Sequence, residues 1–133
     1  MAPSWKNSET GRYYVAIEKD TIEQVYNLLP DFNKTASKNA AYIIATYKRG
    51  ISGNGDDTWG AYDLGLQNSY LILKAKELGY DTLIMGLRDE EGLRKLFSIP
   101  DDEIMLPVIA IGKKDIELVL RPRKQIEEVL KIK

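Results

Sequence analysis

The sequence predicts an α/β or α+β sandwich built as one domain over residues 1–133. Three observations carry that expectation. Strand-like and helix-like segments alternate as strand, helix, strand, helix, strand, helix, strand. One segment, Trp59 to Gly79, is apolar or small around most of its circumference and must be covered on several sides. The chain has 133 residues, 44% hydrophobic and 29% charged, enough for a real core in one soluble domain.

The chain opens with MAPSWKNSET, where Pro, Ser, Asn and Thr crowd together as they do in loops and binding turns. Arg12 to Glu18 (RYYVAIE) is rich in β-branched and aromatic residues and is expected as a strand. Asp20, with Glu23 three residues on, supplies a capping-box pattern for a helix over Thr21 to Leu29, which Pro30 stops. Asp31 to Asn39 is polar and reads as loop or a loose helical turn. Ala40 to Tyr47 (AAYIIATY) is apolar enough for a strand inside a sheet.

Lys48 to Thr58 (KRGISGNGDDT) is the clearest loop, with three glycines and paired aspartates. It is not a phosphate-cradling P-loop, because no Gly-Lys-Ser/Thr follows. Asp56 and Asp57 suit helix capping better than metal binding, since the ligand set of a hard-cation site is absent.

The long helix follows. At about 100° per residue, Asp63, Gln67, Tyr70, Lys74 and Glu77 share a narrow polar stripe. Asn68 and Ser69 lie off it and need hydrogen-bond partners of their own. Such a helix is either central to the fold or buried in a subunit interface. Gly79 suits the left-handed position after its last turn.

Asp81 to Gly86 (DTLIMG) is expected as a short buried strand. Asp89 caps a helix over Glu90 to Phe97 that turns Leu93, Leu96 and Phe97 inward. Pro100-Asp101-Asp102 forms a turn. Glu103 to Gly112 (EIMLPVIAIG) is a strand whose Pro107 argues for an edge position or a bulge. Lys113 to Leu120 is a hairpin return or a connector. Lys124 to Ile132 is expected as a final helix with Ile126, Val129 and Leu130 on its inner face.

Composition narrows the chemistry. The formal net charge is −1, which gives no global attraction to nucleic acid or to an anionic membrane. Lys113 to Lys133 leans basic, with seven Lys/Arg against four Asp/Glu, a local net of +3. No apolar run approaches the roughly 18 residues of a spanning helix, so a cytoplasmic location is the expectation. The sequence holds neither cysteine nor histidine. Disulfides, Ser-His and Cys-His catalysis, and zinc sites built on Cys or His are therefore excluded. For an enzyme, chemistry carried by a bound cofactor becomes the favoured option.

Three separated motifs resemble one family, the FMN-dependent nitroreductases. Ala2-Pro3-Ser4-Trp5-Lys6-Asn7-Ser8-Glu9 is similar to the family's APSS-x-N-x-Q turn. Gly65 to Asn68 (GLQN) matches a familiar helix sequence that leads into Leu78-Gly79 and Met85-Gly86. Pro107 to Gly112, followed by Arg121-Pro122-Arg123, looks like the closing strand and its basic segment.

The resemblance covers essentially the whole chain and implies an α+β fold. That fold has a central, mostly antiparallel sheet, flanking helices and a long buried central helix. It further implies FMN as cofactor, NAD(P)H as reductant, a nitroaromatic, quinone or similar small-molecule acceptor, and a homodimer. By the same resemblance, Pro3, Ser4, Trp5 and Asn7 contact the flavin from a neighbouring subunit. Met85, Gly86 and Leu87 lie over its ring, and Arg121 and Arg123 hold its phosphate. No catalytic side chain is singled out.

Family members usually carry a further N-terminal segment of roughly 30 residues, the length of a helical hairpin. The chain is therefore expected to be a shortened member, with apolar surface to cover. A non-catalytic module with the same fold, or a weak flavin binder, is the alternative expectation. Arg121 and Arg123 would then be a solvated charge pair before a helix.

Overall fold

A computed structural model describes residues 2–51, 57–114 and 121–132. Residues 52–56 of the Lys48–Thr58 loop, Asp56 among them, and residues 115–120 of the Lys113–Leu120 connector lie outside the described residues. Four strands form one antiparallel sheet: β1 (Gly11–Ala16), β2 (Ala41–Lys48), β3 (Asp81–Met85) and β4 (Glu103–Gly112), in the order β1-β2-β4-β3. The helices are α1 (Lys19–Asn27), α2 (Asp31–Ala36), α3 (Thr58–Glu77), α4 (Glu90–Phe97) and a single turn, α5 (Ile126–Val129). The expected α+β architecture is the observed one.

The sheet is covered on both faces, as the apolar runs of its inner strands require. One face carries the larger core: Tyr42, Ile44, Met85, Met105, Val108 and Ala110 pack against Val25 and Leu29, and against Leu93 and Ile99 at α4. The other face carries α3, where Leu64 packs on Ala45 and Tyr47.

Pro107 sits on an interior strand, not at an edge, and the bulge alternative is the correct one. Between the pairs Ile44↔Val108 and Thr46↔Met105, β4 spends two residues, Leu106 and Pro107, against one on β2. Pairing with β3 reaches no further than Met85↔Val108, so the missing Pro107 N–H falls where no ladder bond is due.

Other expectations need correction. Helix α1 starts at Lys19, with Glu18 at the N-cap and no side-chain cap bond, so Asp20 lies in the first turn and faces the helix dipole instead. Asp31–Asn39 contains a true helix, α2, entered through Pro30. Its Asn33 is buried and donates to the Leu87 carbonyl at 2.9 Å. Asp57 occupies the N-cap of α3 without capping it; its carboxylate accepts from the Gly50 N–H and pairs with Arg49. Gly79 does take the left-handed position, φ 82°, and Asp89 does cap α4 by accepting from the Gly92 N–H at 3.0 Å.

The final helix shrinks from Lys124–Ile132 to one turn, and Ile126, Val129 and Leu130 are exposed rather than inward. Without a surface to pack on, so short a helix has little to offset its nucleation cost. Within one chain α3 is likewise covered on a single side, and Tyr62, Tyr70 and Leu73 stand exposed.

Beneath the larger core, Glu103 is a buried carboxylate that accepts from the hydroxyls of Tyr14 (2.9 Å) and Thr46. Burial first, and the bond to Glu103 second, push the Tyr14 hydroxyl up to about 12 from 10.0. Below pH 10 the hydroxyl is protonated in both folded and unfolded states. Between pH 10 and 12 only the unfolded chain ionises, so stability falls over that window by about 2 kcal/mol from this group. Tyr14→Phe is expected to flatten part of that alkaline loss in denaturant titrations at pH 9 and 11. An unchanged slope would remove the assignment.

Candidate functional site

A cleft of about 380 Å³ opens between α3 and the bulged corner of the sheet. Helix α3 supplies Gly65, Asn68, Ser69 and Ile72, and the sheet supplies Ile84, Gly86, Leu106 and Pro107. The β4 bulge is what turns two consecutive residues, Leu106 and Pro107, toward the helix. The lining is mostly aliphatic, with no ionisable side chain, and its size is that of a small-molecule site.

Two glycines face this space. Gly60, one turn before Gly65, is explained by the fold itself, because a Cβ there would run into the Tyr47 ring at 2.5 Å. A Cβ at Gly65 or Gly86 would meet nothing within 4 Å, and neither residue has positive φ. Nothing within the chain excludes a side chain at these two positions. What their smallness preserves is the cleft.

The N-terminal turn docks on the same helix. Trp5–Asn7 forms a 3-10 turn in which Lys6 (φ 47°), Asn7 (φ 55°) and the following Glu9 (φ 47°) are left-handed, a conformation that costs non-glycine residues about 1–2 kcal/mol each. The turn is pinned by Asp63, which is 1% exposed and accepts from the Trp5 N–H at 2.9 Å and the Ser8 hydroxyl at 3.5 Å. Ser4 Oγ closes the turn by accepting from the Glu9 N–H at 3.2 Å. Five residues along the helix, Asn68 Oδ1 accepts from the Tyr13 hydroxyl at 3.2 Å.

Across the cleft, Arg88 holds the end of β3. Its guanidinium donates to the Gly86 carbonyl, to the Met105 carbonyl at 2.7 Å and to Glu90 at 3.0 Å.

Comparison with known proteins gives this geometry a family. The family model described as "Nitroreductase family" matches residues 30–113, more than half of the chain. The chain belongs to the nitroreductase family.

Solved structures agree on the fold. A protein from Exiguobacterium sibiricum, described as a nitroreductase in complex with FMN, superposes with TM-score 0.87 at 18% identity, covering 99% of this chain and 80% of that one. A Staphylococcus epidermidis protein described as an NAD(P)H:FMN oxidoreductase gives 0.85 at 21% identity, covering 98% and 79%. A nitroreductase family protein from Streptococcus pneumoniae gives 0.84 at 17%, covering 99% and 83%. No curated protein sequence matches.

In this nitroreductase family member the site residues expected from sequence fall into three places. Gly86 lines the cleft. Met85 does not: it is 2% exposed, in the core of the opposite sheet face. Leu87 projects into solvent, with its carbonyl held by Asn33.

Pro3, Ser4, Trp5 and Asn7 share the N-terminal turn and reach α3 through Asp63, but none lines the cleft. Arg121 and Arg123 are exposed and make no hydrogen bond or ion pair with the described residues. Asp63 and Arg88 escaped sequence reasoning. The sequence places Asp63 only in a narrow polar stripe of the long helix, and it singles out no role for Arg88. No helix among the described residues is long and apolar enough to cross a membrane.

Proposed function

We propose that this chain is an FMN-dependent oxidoreductase of the nitroreductase type, with NAD(P)H as reductant and a nitroaromatic, quinone or similar small molecule as acceptor. The observation that carries the reading is the cleft with Gly65 and Gly86 facing it, a mostly apolar space that a Cβ at either position would enter. FMN, when bound, supplies the hydride and electron chemistry that a chain without His or Cys cannot.

The chain's own residues bind and orient. Gly86 and its flanking backbone, from Met85 to Leu87, would contact the flavin ring. Ile72, Ile84, Leu106 and Pro107 would exclude water from it. The turn of Pro3, Ser4, Trp5 and Asn7 borders a flavin across a homodimer interface, and the exposed side of α3 is the apolar surface that such a dimer covers.

Arg121 and Arg123, with no carboxylate partner among the described residues, offer two planar donor forks to the phosphate. The acceptor is a small molecule in the cytoplasm; neither nucleic acid nor a membrane is a partner in this reading.

Purified protein mixed with FMN and freed of unbound flavin by gel filtration is expected to keep absorbance bands near about 370 and 450 nm, the chromophore being the cofactor's own. Retained flavin bleached by NADH or NADPH and recovered with a quinone supports the reading. Colourless protein sinks it and leaves a non-catalytic module with the family's fold.

A further inference from the structure

Arg88 occupies an unusual place for a charged side chain. It lies in the turn between β3 and α4, its side chain is 14% exposed, and Glu90 is its only ion-pair partner among the described residues. Two of its donors are spent on backbone carbonyls, that of Gly86 two residues back and that of Met105 seventeen residues on. Gly86 lines the cleft, and Met105 directly precedes Leu106 and Pro107, which line it as well.

The far side of the turn is held independently, by Asn33 on the Leu87 carbonyl and by the Asp89 N–H donating to the Leu28 carbonyl at 2.8 Å. On the cleft side, Arg88 is the side chain that ties the Gly86 turn to the bulge. Its planar fork suits that task, since one guanidinium reaches both carbonyls and a carboxylate at once, whereas an ammonium is a single point donor. Arg94 makes a related set of bonds, to Glu90, Pro100 and Glu103. Its carbonyls lie away from the cleft.

We infer that Arg88 is a positioning residue: it sets the spacing between the Gly86 backbone and the Leu106–Pro107 wall, and through that spacing the fit of the flavin ring. The inference rests on the FMN reading for its second half and stands on the chain's own geometry for its first.

Arg88→Met, Arg88→Lys and, as a control, Arg94→Met separate the possibilities. FMN titration followed by flavin fluorescence should show affinity at least about tenfold weaker in Arg88→Met, the size expected when charge-assisted bonds are lost. Arg88→Lys should recover part of the loss, and Arg94→Met should bind FMN as the parent does, even with a lower thermal midpoint.

Parent-like affinity in Arg88→Met, or equal losses in the Arg88 and Arg94 variants, overturns the inference. If Arg88→Met does not fold, Arg88→Lys carries the test, with weaker FMN binding expected and parent-like binding overturning it.

If the parent itself takes up no FMN, the cofactor reading falls, and amide exchange decides the positioning role without flavin. Faster exchange at Leu87 and Leu106 in the folded Arg88 variants upholds the clamp. Unchanged exchange there removes it.

Discussion

Gly86→Val is expected to abolish retention of FMN while leaving the thermal midpoint within a few degrees of the parent. The backbone at residue 86 needs no left-handed conformation, and a Cβ meets nothing within 4 Å. A β-branched residue is also well suited to the end of a strand. The chain therefore tolerates the side chain, and only an occupant of the cleft would object to it.

Gly65→Ala sharpens the contrast. In the interior of α3, alanine favours the helix by about 1 kcal/mol over glycine, so thermal unfolding should shift upward. The added methyl enters the same cleft, and FMN affinity should fall. Stability and binding then move in opposite directions, which general damage to the fold cannot produce. Both variants binding FMN like the parent would place the ring somewhere other than this cleft.

Asp63→Ala is expected to release the N-terminal turn. Three left-handed non-glycine residues within four positions do not hold themselves, and the bond from the Trp5 N–H to Asp63 links them to α3. Removing the acceptor costs about 1–3 kcal/mol of local order, the usual penalty when a largely desolvated donor loses its partner. Limited trypsin digestion measures this directly, because Lys6 sits inside the turn. Cleavage after Lys6 should accelerate about fivefold or more in Asp63→Ala, since each 1.4 kcal/mol of opening free energy is worth about a factor of ten.

Asp63→Asn keeps an acceptor oxygen and should digest at nearly the parent rate. Equal rates for Asp63→Ala and the parent would show that the turn is held by something else. FMN affinity falling in step with turn release would tie Pro3, Ser4, Trp5 and Asn7 to the cofactor.

Asp63 also shows where periodicity misleads. Asp63, Gln67, Tyr70, Lys74 and Glu77 form one stripe by angle, and the natural assignment for such a stripe is solvent. Its C-terminal half obeys: Tyr70, Lys74 and Glu77 are exposed. Its N-terminal half does not, because the turn at Trp5 and the strand residue Tyr13 lie against it. Met85 is the converse case. The motif around Gly86 was legible, yet strand alternation sends the Met85 side chain through the sheet into the opposite core.

Chemistry confined to a few neighbouring residues can be read along the chain alone. The missing N–H of Pro107 narrows its place to a sheet edge or a bulge, the left-handed Gly79 follows from the absence of a Cβ, and the Asp89 cap from a carboxylate placed just before a helix. The order of strands and helices follows from their hydrophobic periods, and the family from motifs carried on them.

Which polar groups meet across long stretches of chain depends on how the elements pack. The Trp5 N–H finds Asp63 over a separation of 58 residues, Tyr13 finds Asn68 over 55, and Arg88 finds the Met105 carbonyl over 17. No local period encodes such pairs. They form because buried donors and acceptors must be satisfied wherever the packing of α3 and α4 on the sheet happens to bring them together.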